Sequence, residues 1–134
     1  MTLSEKERYQ EAAKLICRLL DGQRLFIGPV SLIANDGSVN ARALGYVYGF
    51  TACFLQIAKL DIRSDYGRGA LLFVLNQFDT SNADLLFDYL AHAPAPFGAE
   101  LLDGVMIGGV DYNDWVRSKG KKITLRWREC FTAR

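Results

Sequence analysis

From Ala43 to Ala58 sixteen consecutive residues carry no charge, bounded by Arg42 and Lys59. A helix that is apolar nearly all round must be surrounded, either by protein or by lipid. A spanning helix needs roughly 20 apolar residues, and this run falls short while carrying Thr51 and Gln56. The segment Val39 to Leu60 therefore predicts a buried central helix, and the rest of the chain must supply the elements that cover it.

One face of that helix is special. Ala41, Gly45, Gly49 and Cys53 recur every four residues, which stacks them in one stripe. Two interior glycines cost roughly 1 kcal/mol each relative to alanine, so a close neighbour is expected to offset them. Two neighbours fit: another helix of the same chain, the first, third or fourth, or the same face of a second copy in a homodimer. The Gly-xxx-Gly spacing is diagnostic of association only in membranes.

Around this centre the sequence supplies further helices. Ser4 and Glu7 have the spacing of a capping box, in which each side chain satisfies a free backbone N–H at a helix start. A first helix from about Glu5 to Leu20 follows, with Tyr9, Ala12, Ala13, Ile16, Leu19 and Leu20 on one face and Asp21-Gly22 as its stop. Asn35-Asp36-Gly37 is a turn, and Ser38 is placed to cap the central helix. Asp61 to Gly69 reads as a break, Ala70 to Phe78 as a short apolar helix and Ala83 to His92 as a fourth, closed by Pro94 and Pro96. Ala99 to Met106 forms a fifth, and Asp111 to Ser118 one or two turns more, capped by Asp111.

At the C-terminal end Lys122 to Arg128 alternates polar and apolar residues, the pattern of a half-buried strand with Ile123, Leu125 and Trp127 on one side. Its best partner is the run Arg24 to Ala34, which Gly28-Pro29 prevents from being one helix. The expected fold is thus mainly α: a bundle of four to six helices around a buried one, with room for a two- or three-strand β element, and α+β as the alternative.

The chain has 134 residues, the size of one domain able to bury a core without staples. A single globular domain over 1–134 is expected. Half the residues are apolar and 23% are charged, which excludes disorder of the low-hydrophobicity kind. Cys17, Cys53 and Cys130 lack Cys-xx-Cys spacing, so they read as reduced core thiols of a cytoplasmic protein. The first eight residues lack the basic-then-apolar order of a secretory signal.

Net charge is +1, yet residues 117–134 hold seven basic groups and one acid. The remainder is correspondingly acidic, an asymmetry that fits an anionic partner or a tail lying on its own body. Lys119, Lys121, Lys122, Arg126 and Arg128 can neutralise phosphates, and an exposed Trp127 can stack on a base. The competing reading turns Trp127 inward and leaves the arginines to decorate an edge strand.

No grouping for catalysis stands out. His92 is the single histidine, placed at a helix C-terminus where the dipole favours its protonated form. The pairs Asp61/Asp65 and Asp84/Asp88 and the group Asp103/Asp111/Asp114 lack any calcium-loop order and read as caps, turns and surface. Tyr66 to Ala70 lacks the phosphate-loop ending and reads as an interhelical turn. No catalytic residue, metal ligand, cofactor, small-molecule substrate or membrane contact is inferred. The reading reached is a non-enzymatic, self-associating protein-interaction module, an adaptor, inhibitor or regulator. A nucleic-acid-binding regulator using the basic segment is the alternative.

Overall fold

The capping box fixes where the chain enters its first helix. In the computed structural model, which describes residues 2–27, 31–33, 36–91, 98–121 and 126–131, the Glu7 N–H donates to Ser4 Oγ at 3.2 Å. The Ser4 N–H donates back to Glu7 Oε1 at 3.3 Å. Helix α1 spans Glu5–Ile27, one and a half turns beyond the expected stop at Asp21-Gly22. Gly22 is passed through because the residues around it are bound into the core: Leu20 is fully buried and Gln23, at 2% exposure, donates to the Tyr46 hydroxyl.

The central helix α2 spans Ala41–Ile57. Its cap is Asn40, whose side chain accepts from the Ala43 N–H at 3.1 Å. Ser38 instead closes a local turn on Asp36, while Val39 makes a single antiparallel bridge to Ile33. At the far end Lys59 takes a left-handed conformation, φ 63°, and the Leu60 N–H reaches back to the Leu55 carbonyl at 2.7 Å. That geometry ends the helix before Leu60.

Helix α3 spans Asp65–Phe78, α4 Ala83–Ala91 and α5 Gly98–Arg117. The segment expected to be a turn, Tyr66 to Gly69, is therefore the start of α3, capped by Ser64 through the Gly67 N–H. The expected fifth helix and following turns are one continuous α5, running through Gly104, Gly108 and Gly109. A six-residue 3-10 helix, Arg126–Phe131, follows.

The β element is corrected on the described residues. Residues 24–27 are the last turn of α1, and 126–128 are helical because Trp127 and Cys130, three apart, both turn inward, the spacing that stacks side chains on a 3-10 helix. Residues 28–30, 34 and 122–125, which also carried that expectation, lie outside the described residues, as does His92. The remainder is a mainly helical bundle, and α2 is its centre: Ala43, Leu44, Tyr46, Val47 and Leu55 have no exposed surface. Among the described residues, no helix is long and apolar enough to cross a membrane.

Two parallel helix pairs organise the bundle. On the first, Tyr9 lies beside Tyr66 and Arg24 beside Phe78, so α1 and α3 run in the same direction. On the second, Gly104 meets Arg42 and Tyr46 while Gly108 meets Tyr46 and Phe50, so α2 and α5 do likewise.

Candidate interaction surface

The small-residue stripe of α2 has a specific neighbour. A methyl group added at Gly45 would clash with the Leu101 carbonyl oxygen, and one at Gly49 with that of Val105. The contact is reciprocal: a methyl at Gly104 would strike the Arg42 carbonyl and one at Gly108 the Tyr46 carbonyl. The neighbour is helix α5 of the same chain, rather than the first, third or fourth. Ala41 is buried at the start of α2, and Cys53 is half-buried beyond the glycine contact. With α5 seated there, Gly45 and Gly49 have no surface left to offer a second copy.

Below the glycines the same pair of helices is joined by polar groups. The Tyr46 hydroxyl donates to Asp111 Oδ2 at 2.6 Å and receives a hydrogen bond from Gln23 Nε2 at 2.9 Å. Burial, then the Asp111 charge and the hydrogen bond to it, push the Tyr46 phenol well above its ordinary pKa, so it stays a neutral donor. Asp111 is 3% exposed and also receives the Arg126 guanidinium at 2.9 Å and the Arg126 backbone N–H at 3.2 Å. Asp114 shares that guanidinium at 3.1 Å, and its hydrogen bond, ahead of the Asp111 charge, raises the Arg126 pKa. A buried carboxylate is tolerated only when it is paired and hydrogen-bonded in this way.

This arrangement decides the fate of the basic segment. Trp127 is 1% exposed, stacked on Tyr46 with centroids 5.6 Å apart, and its indole N–H donates to the Ala43 carbonyl at 3.3 Å. It is not available to stack on a base. Arg126 is committed to Asp111 and Asp114. Lys119, Lys121 and Arg128 are exposed, and Lys122 lies outside the described residues. Of the Asp103/Asp111/Asp114 group read as caps and surface, Asp111 is buried instead, while Asp103 and Asp114 stay partly exposed and ion-paired, Asp103 holding Arg42 at 3.0 Å.

Among the described residues no group of three or more histidine, cysteine or acidic side chains is placed to hold a metal ion. Burial raises the Cys17 and Cys130 thiols to about 11 and about 12; both are protonated at neutral pH and poor nucleophiles.

The outer side of α5 is open. Leu102, Met106 and Val110 are 62%, 69% and 49% exposed. At intervals of four they form one ridge, and Gly104 and Gly108 hold the helix so that this ridge faces away from α2. Sequence reasoning missed it by ending the helix at Met106, which cut the ridge in two. A second open surface lies between α1 and α3, a groove of about 450 Å³ flanked by Tyr66 and Phe73.

No protein-family model, curated protein or solved structure matches the chain.

Proposed function

We propose that the chain is a protein-interaction module that self-associates through the outer face of α5. The observation that carries this reading is the ridge Leu102, Met106 and Val110, three large apolar side chains half to two-thirds exposed on a helix whose other face is locked in place. Exposed apolar surface gathered into a contiguous patch marks an interaction site more often than isolated exposed residues do.

A second copy suits the ridge because the ridge is self-complementary. In an antiparallel two-fold pairing centred on Met106, Leu102 of one copy lies against Val110 of the other and no like charges oppose. Such a contact is isologous and closes as a dimer. One helix face covers less than the ~800 Å² per partner of a standard interface, so the association is weak and concentration-dependent. The basic segment supports the nucleic-acid alternative less, since its tryptophan is buried and Arg126 is paired within the chain.

Light scattering over a concentration series tests the proposal. The mass is expected to rise from 15.0 kDa towards twice that value, and Met106→Glu to hold it at the monomer without loss of helicity. A chain that stays monomeric up to roughly 1 mM, the limit of measurable weak binding, contradicts self-association.

A further inference from the structure

We infer that the groove between α1 and α3 is a second interaction surface, one that receives an acidic amphipathic helix from a partner protein. Its floor is made by the buried Ala13 and Ala70, with Gly69 exposed on the α3 edge. A side chain added at Gly69 would meet nothing within 4 Å, so the α3 edge between Tyr66 and Phe73 is open to an incoming apolar side chain. Tyr66 and Phe73, 45% and 41% exposed, flank it two turns apart on α3. The shape is a trough along two parallel helices, which a third helix fills by placing apolar anchors at i, i+4 and i+7.

Charge selects the kind of helix. Lys6 and Lys14 line the α1 wall, eight residues or about 12 Å apart along the axis. Lys6 has no ion-pair partner among the described residues, and Lys14 holds only Glu11 at 3.4 Å, with both side chains 55% exposed. Such a pair contributes little and exchanges readily. Against them stands Asp65 in the first turn of α3, where it also faces its own helix dipole. Two ammonium groups two turns apart match carboxylates repeating along one flank of a helix, whereas a compact ligand would reach only one of them. This groove is built from α1 and α3 and the ridge proposed above from α5, so each reading can fail without the other.

The test uses the full chain and two designed peptides of ~18 residues, long enough to form helix on binding. Both carry the same leucine stripe, one flanked by glutamates and the other by lysines. Backbone amide NMR is expected to show the acidic peptide shifting Lys6, Gln10, Ala13, Gly69 and Ala70. Reversing both cations, Lys6→Glu with Lys14→Glu, is expected to weaken it about tenfold and to let the basic peptide bind instead. Gly69→Phe, which puts a bulky ring on the groove's open α3 edge, is expected to abolish binding of either peptide while the fold is retained. Equal binding of the two peptides, shifts on α5 instead of α1 and α3, or an unaltered affinity in Gly69→Phe overturns the inference. So does binding of decanoate at these amides where the acidic peptide fails, which would assign the groove to small apolar acids.

Discussion

The two parallel helix pairs use glycine in opposite ways. Between α2 and α5 four glycines, Gly45, Gly49, Gly104 and Gly108, interleave so that each would drive a methyl group into the opposing backbone. Between α1 and α3, Gly69 sits over open space, and the pair is held by side chains at its ends, Tyr9 against Tyr66 and Arg24 over Phe78. The first pair is a closed seam and the second an open trough. Both pairs carry small residues on both helices, Ala13 on α1 and Ala70 on α3 in the second. What separates them is direction: the seam glycines point at the opposing backbone, whereas Gly69 points into open space.

Breaking the seam has the largest expected effect. Gly108→Val places a branched side chain against the Tyr46 carbonyl and the Phe50 N–H, and neither backbone can yield without unwinding a helix. A loss of more than about 4 kcal/mol is expected, read as a collapse of the unfolding midpoint. A stable, folded Gly108→Val protein would mean that the helices do not approach closely there.

Next comes the polar clasp at the lower end of the seam. Asp111→Ala leaves the Tyr46 hydroxyl short of its acceptor and removes the buried partner of Arg126, at a cost of about 3 kcal/mol. Because Arg126 also holds Asp114 and its side chain is 39% exposed, the guanidinium itself can turn to water. The cost should therefore fall on Tyr46 and on the Arg126 backbone N–H, which loses its acceptor too, and a double-mutant cycle with Tyr46→Phe isolates the first share: removing both partners should cost less than the two single changes together.

These particulars show what the residues disclosed and what they did not. The buried helix, its small stripe and the start of α1 were readable because each is written in a local spacing: a charge-free run, a repeat of four, a Ser and a Glu three apart. The identity of the stripe's neighbour was not, because Gly104, Gly108 and Gly109 look locally like the end of a helix. Only the matching stripe 59 residues earlier, Gly45 to Gly104 and Gly49 to Gly108, makes them the middle of one. Asp111 was misread for the same reason, its partners Tyr46 and Arg126 being 65 and 15 residues away. The alternating pattern at the C-terminus favoured a strand, yet Trp127 is claimed by Tyr46 and the Ala43 carbonyl. Tertiary packing overrode a local period there. The exposed ridge of α5 became visible only once the helix was whole.

The comparison between seam and trough reduces to the same substitution made in both places. In each helix, replacing glycine with alanine gains about 0.5 to 1 kcal/mol of helical propensity. At Gly69 nothing opposes that gain, so Gly69→Ala should be more stable than wild type by about that amount. At Gly49 the methyl meets the Val105 backbone, and overpacking should outweigh the gain, leaving Gly49→Ala less stable by about 2 kcal/mol. Equilibrium denaturant unfolding of the two variants beside wild type is the most direct measurement. Shifts of opposite sign are the predicted result, and a Gly49→Ala protein as stable as Gly69→Ala would contradict the claim that α5 closes on α2 through these glycines.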